Sequence, residues 1–370
     1  MAMVMKLTMF LKPHPTEQQK EVLLRTMEQF NAACNYVSEV AFKEQTASQV
    51  KLHRLAYYAV REKFGLSAQM AVRVIGKVAK AYKADRKHHH TFKPHGAIVY
   101  DQRILTFKFP DRVSILSIEG RQEIPFVFKN YRQLDIRRVR GQADLVYRNG
   151  DFYLAVCVDV PESLTDEPTE WLGVDLGIVT IATNSDGESY SGAQVSGLRK
   201  RYTKLGSKLQ KKATEKRKSG KRPKSVLRLL RKRSKKEHRF VANVNHVIAK
   251  ELVAKAKGTG RGIALENLTG IRDRITVSKA QRCSQHSWAF RQLRTFIEYK
   301  VKLAGVPVVL VDPHNTSRTC PVCGCVDKRN SPNQAHFRCT SCGFAGPADV
   351  IAARNIASRA TVNWSYVATA

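Results

Sequence analysis

Residues 3–11 (MVMKLTMFL) carry the apolar pattern of a strand, which Pro13 and Pro15 end. Apolar residues at Val22, Leu23, Met27, Phe30, Ala33 and Cys34 then follow the period of a helix. That period recurs over Leu52–Val60 and Ala68–Tyr82, where Met70, Val74, Val78 and Tyr82 stand four residues apart. Arg61, Arg73, Lys77, Lys80 and Lys83 lie between them, so residues 14–85 read as a basic helical insert. From Ala97 to Val160 the period changes to two, as in IVYDQRILTFKF, RVSILSIE, IPFVFK and ADLVYRNGDFYLAVCVDV. Asn149-Gly150 between LVYR and DFYLAV is the dipeptide that a type I′ hairpin turn prefers. These strands, rejoined by the strand at 3–11, predict a small antiparallel barrel interrupted by the helices. Between them, Arg86–His95 holds His88, His89 and His90 in a row. Adjacent histidines rarely converge on one ion, so a solvated loop is expected, with a metal or phosphate contact as the alternative. Pro161–Glu170 (PESLTDEPTE) is acidic and without periodicity, and marks a domain boundary.

The length of 370 residues predicts two or three such units. Charge narrows the partners. Lys and Arg number 64 against 31 acids, a net +33, so the partner is a polyanion, most simply nucleic acid. The longest apolar runs, Val306–Val311 and Ile178–Ala182, fall far short of the roughly 20 residues that span a bilayer, so no membrane protein is expected. Lys6 and Thr8 interrupt the apolar start, and Lys12 and Pro13 close it with no small-residue cleavage site after them. A cytoplasmic protein is expected.

Twenty Lys and Arg fall among the 41 residues Arg199–Arg239 against two acids, Glu215 and Glu237, so this segment carries +18 of the +33. Leu198, Tyr202, Leu205 and Leu209, then Val226, Leu227 and Leu230, suggest two basic helices around the turn Lys218–Pro223. A solvated face usually mixes both signs. This one predicts phosphate contact, with Lys204, Lys208, Lys211, Lys212, Arg228, Arg231 and Lys235 as candidates.

The cysteines divide unevenly. Cys34, Cys157 and Cys283 are scattered, whereas Cys320, Cys323, Cys325, Cys339 and Cys342 crowd together, which argues for metal. Cys320-Pro-Val-Cys323-Gly and Cys339-Thr-Ser-Cys342-Gly are two knuckles whose four thiolates suit one tetrahedral Zn²⁺. Four protein ligands close the shell, so this zinc is structural. Cys325 is read as a bystander.

Acids appear where hydrolysis would need them. The strand Trp171–Val174 delivers Asp175 ahead of Gly177, which would let backbone and phosphate approach. By itself this motif is equally a turn aspartate. A second apolar strand, Gly262–Leu265, ends in Glu266, and Asp349 opens the helical run Ala348–Ala360. Phosphodiester hydrolysis by two divalent ions needs such hard oxygen ligands, which suit Mg²⁺ or Mn²⁺.

The chain resembles the TnpB family of insertion-sequence proteins, related to type V CRISPR effectors. The motifs that carry the likeness are GVDLGIVTIATNSDG (173–187), ALENLTGI (264–271), TSRTCPVCG (316–324), RCTSCG (338–343) and DVIAARNIA (349–357). The resemblance implies a multidomain α+β chain. Residues 1–13 and 86–165 would form a wedge-like β-barrel and residues 14–85 a helical recognition lobe. Residues 170–370 would form an RNase H-like (RuvC) α/β nuclease domain, with the basic hairpin 198–240 and the zinc ribbon 316–346 inserted. It also implies that Asp175, Glu266 and Asp349 bind Mg²⁺, that a guide RNA from the element's end is bound, and that base pairing reads a double-stranded DNA target. No small-molecule cofactor is implied, and a monomeric ribonucleoprotein suffices. The family often has Asn two residues after the third acid, where this chain has Ile351. Arg318 is a candidate for gripping a phosphate, or an exposed structural arginine; Asn267 and Asn355 read as cap and packing residues more than as orienters of the acids.

The function so implied is RNA-guided, Mg²⁺-dependent cleavage of DNA next to a short flanking motif. An in-line water attack would leave 5′ phosphate and 3′ hydroxyl ends. The rival readings are an RNA-guided DNA-binding protein that does not cut, a transposase that joins strands with the same carboxylates, and a nonspecific RNA-binding protein.

Overall fold

The computed structural model describes residues 4–128, 135–163, 167–268, 290–333 and 335–368. The chain forms two compact units, Met1–Pro161 and Glu162–Ala370. Cys283 and residues 269–271 of the ALENLTGI motif lie outside the described residues, as do residues 164–166 of the expected boundary.

In the first unit β1 (Val4–Pro13) precedes the helices α1 (Glu17–Lys43), α2 (Gln49–Phe64) and α3 (Ala68–Ala84). Among the described residues six strands follow: β2 (Ile98–Tyr100), β3 (Leu105–Lys108), β4 (Arg112–Ser117), β5 (Gly120–Val127), β6 (Val139–Arg148) and β7 (Asp151–Pro161). Each helix starts where a hydroxyl can accept the free amides of its first turn: Thr16 from Gln19 in a capping box, Ser48 from Lys51, and Ser67 from Met70. Their apolar stripes bury Leu23, Met27, Phe30, Val37, Met70, Val74, Val78 and Tyr82. Burying one such side chain contributes roughly 1.5–3 kcal/mol.

The strands lie in the order β2-β6-β7-β1-β5-β4-β3, so β1 pairs with β7 (Met9 opposite Val156) across the whole unit. Alternation decides which face is inside: Met9, Leu11, Leu154, Val156 and Val158 are buried. Asn149 and Gly150 both take positive φ (54° and 92°), as a type I′ turn requires. The expected barrel is not closed by a ladder, because among the described residues β2 and β3 remain the sheet's edges. The ends nevertheless curl together: Tyr100 of β2 donates its hydroxyl to the carbonyl of Leu116 in β4 at 3.0 Å. Three- and four-residue edge strands are too short to add the missing ladder.

Arg86–His95 is a loop, and its histidines separate. His88 Nδ1 lies 2.8 Å from Asp85 Oδ2, His90 Nε2 meets the Asp85 carbonyl, and His89 packs edge-on against Phe42. Two of the rings thus bond different atoms of Asp85, one its carboxylate and one its carbonyl, and the third packs on an aromatic ring.

The second unit is a five-stranded sheet in the order β10-β9-β8-β11-β12. Its strands are β8 (Trp171–Asp175), β9 (Thr180–Asn184), β10 (Ser189–Ser191), β11 (Gly262–Glu266) and β12 (Val308–Val311). The β8-β9-β10 part is antiparallel; β8, β11 and β12 run parallel. Among the described residues, helices α4 (Ala193–Lys218), α5 (Lys224–Gly258), α6 (Phe290–Ala304) and α7 (Ala348–Ala368) accompany it. On one face, Ile248, Leu252 and Ala256 of α5 and Leu293, Ile297 and Val301 of α6 pack on Leu172, Val174, Ile263 and Leu265. On the other, Ile356 and Ala360 of α7 pack on Trp171, Ala264 and Val311. Both faces being covered explains why these strands read as continuous apolar runs.

Candidate active site and metal centre

Two parallel strands end side by side in acids. Asp175 closes β8 and Glu266 closes β11, with Leu265 in register with Val174. Asp349 sits in the first turn of α7, where the helix dipole favours a carboxylate. All three line one cleft of about 550 Å³, with Leu268, Pro313, Thr316, Ser317, Ser331 and Asn333 completing its wall. Gly177 serves its own turn, since a β-carbon there would lie 2.6 Å from the Thr180 carbonyl oxygen.

Among the described residues, no Lys or Arg lines the cleft. Burial, with repulsion from Glu266 and Asp349, pushes the Asp175 carboxyl up to about 7 against a bond from the Leu176 amide. Burial also raises Glu266, while a hydrogen bond from Thr316 and the charge of Arg359 act the other way. Hard carboxylate oxygens gathered in one cleft, where their charges destabilise Asp175, fit Mg²⁺ or Mn²⁺. Among the described residues, the group whose ligand atoms all lie within 4.8 Å of one another is not this one but Cys320, Cys323, Cys339 and Cys342.

The four sulfurs form a tight set: Cys320 and Cys342 are 3.6 Å apart, Cys323 and Cys339 3.5 Å. Zn–S bonds of about 2.3 Å in a tetrahedron imply S–S edges of about 3.8 Å, so the cluster fits one zinc. Both knuckles turn at a glycine of positive φ, Gly324 and Gly343, each donating its amide to the first cysteine's carbonyl. Amides of Cys342 and Ser341 point at the Cys339 sulfur and pull its thiol down to about 6. Cys325 is not part of the set; its carbonyl accepts from Cys320 and from Asn330. Ile351 is buried against Cys320, Cys339 and Phe337, so where the family often has Asn this chain has an apolar floor for the cysteine module.

Arg318 is exposed and is not part of the cleft wall; its backbone carbonyl accepts from Asn330. Asn355 is buried and donates to the carbonyls of Thr316 and Thr319 at 2.8 Å each, tying α7 to the loop before the cysteines. Asn267 accepts from Arg294 at 3.2 Å. The residue that the sequence does not reveal is Thr316. It is buried, and its hydroxyl donates to Glu266 Oε1 at 2.5 Å.

Helices α4 and α5 form the basic hairpin, and α5 runs on to Gly258, where its second half becomes core. Lys204, Lys208, Lys211, Lys212, Arg228, Arg231 and Lys235 are all exposed. Arg233 differs: it lies over Gly206 and donates to the Tyr202 carbonyl, so it holds the hairpin together.

Two family models match the chain: a "Cas12f1-like, TNB domain" over residues 290–356, and the OrfB family of IS605, described as "Probable transposase", over residues 155–264. A TnpB-like protein of Methanocaldococcus jannaschii is 35% identical over 156 residues, 42% of this chain and 53% of that one. The CRISPR-associated endodeoxyribonuclease Cas12f1 of Syntrophomonas palmitatica is 31% identical over 217 residues, 56% of this chain and 42% of that one. The chain thus spans about half the length of these relatives. A solved Cas12f1 from a complex with sgRNA and target DNA shares the fold at a TM-score of 0.65 and 15% identity, over 96% of this chain and 99% of that one. In family model and in sequence, the chain is similar to TnpB-like and Cas12f proteins. No helix among the described residues is long and apolar enough to cross a membrane.

Proposed function

We propose that the protein is an RNA-guided, Mg²⁺-dependent DNA endonuclease encoded by a transposable element, with an RNase H-like nuclease domain. The observation that carries the reading is the meeting of Asp175, Glu266 and Asp349, from three separate segments, in one cleft. The sheet order, antiparallel through β8 and then parallel through β11 and β12, supports the RNase H-like assignment. So do the relatives that are named endodeoxyribonucleases.

In this reading Asp175, Glu266 and Asp349 would hold Mg²⁺ or Mn²⁺. When bound, the ions would supply an activated water and offset charge on the phosphate. The chain's own part is to bring three carboxylates to one cleft, where burial and the charges of Glu266 and Asp349 disfavour an ionised Asp175 until cations enter. The four cysteines would hold a structural Zn²⁺ and take no part in hydrolysis. The exposed lysines and arginines of the hairpin would bind phosphates without regard to sequence, leaving sequence to base pairing with a guide. The first unit, with its helices and curled sheet, would hold the RNA and its heteroduplex.

Co-expressed with its flanking genomic DNA, the protein is expected to purify with a discrete RNA that has a constant segment and an exchangeable one. A heterogeneous RNA population would contradict guidance. Strand-transfer products from donor DNA without RNA would instead favour the transposase reading.

A further inference from the structure

We infer that Thr316 is a positioning residue that fixes the Glu266 carboxylate for divalent-ion binding. The inference rests on Asp175, Glu266 and Asp349 being the ion-binding carboxylates of the nuclease.

The Thr316 hydroxyl has one proton and two acceptors in reach. The Pro313 carbonyl, three residues back, lies at 3.1 Å, and Glu266 Oε1, fifty residues away, at 2.5 Å. A hydroxyl that only needed a partner in a buried loop would have one in Pro313. The shorter approach is to the carboxylate, where the bond is charge-assisted and roughly twice as strong. With Oε1 held, the carboxylate group cannot rotate freely, and Oε2 is presented in one orientation.

Thr316 is itself fixed from behind. Asn355 uses its side-chain amide nitrogen to bind the carbonyls of Thr316 and Thr319 at 2.8 Å each, and both Asn355 and Thr316 are buried. Asn355 stands six residues after Asp349 on α7, so a continuous polar chain runs from Glu266 through Thr316 and Asn355 to the helix that carries Asp349. Cys320, the first cysteine of the zinc set, lies four residues after Thr316 and joins the same loop to that module. The two carboxylates are therefore set relative to each other by a device that neither the strands nor the helix supplies alone.

The test compares Thr316→Val, which keeps the shape and removes the donor, with Thr316→Ser, which keeps the donor. Each is purified as the full ribonucleoprotein. Two quantities are read: Mn²⁺ affinity by electron paramagnetic resonance, which needs no turnover, and the Mg²⁺ concentration that gives half-maximal cleavage. For Thr316→Val both should shift to about 10- to 100-fold weaker binding, the usual cost of losing an outer-shell partner, with cutting recovered at high Mg²⁺. Thr316→Ser should stay within about threefold of wild type, because the charge-assisted bond survives. Unchanged Mn²⁺ affinity in Thr316→Val would overturn the inference. So would a loss of cutting and of thermal stability with no shift in metal dependence, which marks a merely structural threonine. Failure of the underlying reading looks different: Asp175→Ala would cut like wild type, or wild type would cut without divalent ions.

Discussion

Gly173 in β8 lies directly against Ala353 in α7, so close that a β-carbon on Gly173 would fall inside the Ala353 carbonyl oxygen and 2.7 Å from the Ala357 amide. The absence of one side chain thus lets the helix carrying Asp349 approach the strand carrying Asp175. Gly173→Ala must push the two apart. The cost should be about 3 kcal/mol or more, since the obstacle is backbone on both sides and cannot move aside. Urea unfolding should show it, with cutting lost in the fraction that stays folded.

The carboxylate cleft sets a pH dependence with a definite sign. Asp175 titrates near 7 when folded without divalent ions, against about 3.9 in an unfolded chain. Between those values the folded state keeps a proton that the unfolded state has released. This group's contribution therefore favours folding at low pH and is lost as pH rises through about 7. Asp175→Asn removes the penalty and should melt several degrees above wild type at pH 8 without added divalent ions, the full penalty being about 4 kcal/mol. The difference should fade near pH 4, and Mg²⁺ should reverse it. Thermal melts at the two pH values check this.

Exchanging Lys204, Lys208, Lys211 and Lys212 for Gln should weaken RNA binding and make it less sensitive to salt. The slope of log K against log salt should fall by about 3, at roughly 0.7–0.9 for each phosphate no longer neutralised. Arg233→Gln should leave that slope alone and lower thermal stability, because Arg233 bonds Tyr202 over Gly206. Filter binding across a salt series separates the two.

The cysteine module should carry one zinc per chain by elemental analysis. Cys320→Ser or chelation should remove it, loosening the small core of Cys320, Cys339, Phe337 and Ile351. Cutting should fall although a zinc closed by four thiolates would take no part in hydrolysis, because the loop from Thr316 to Cys320 loses its anchor. Limited proteolysis near residues 316–346 checks the first claim and cleavage assays the second.

The acids were legible because Asp175 and Glu266 end apolar strands and Asp349 begins a helical run, and strand ends and helix starts are places where chains meet. The cysteine spacing was legible because four thiolates need local turns, and two Cys-x-x-Cys-Gly knuckles supply them. Thr316 was not, because nothing local links a threonine to a glutamate fifty residues before it. Arg233 was equally hidden among its charged neighbours, since only the helix crossing at Gly206 separates a packing arginine from an exposed one. The sheet of the first unit was expected to close, and the alternation that places Met9 and Val156 inside says nothing about edges as short as β2 and β3. Ile351 shows how a departure from a family pattern can be a packing choice: it floors the cysteine module instead of facing the acids.

Guided cutting at the carboxylate cleft has one decisive test. The most direct measurement is cleavage of a plasmid by the purified ribonucleoprotein with Mg²⁺, with the exchangeable RNA segment either matched or mismatched to the plasmid, for wild type and for Asp175→Ala. Cutting is expected only for wild type with the matched RNA, with unchanged RNA binding by Asp175→Ala. Equal cutting by Asp175→Ala, or cutting indifferent to the RNA sequence, would contradict it.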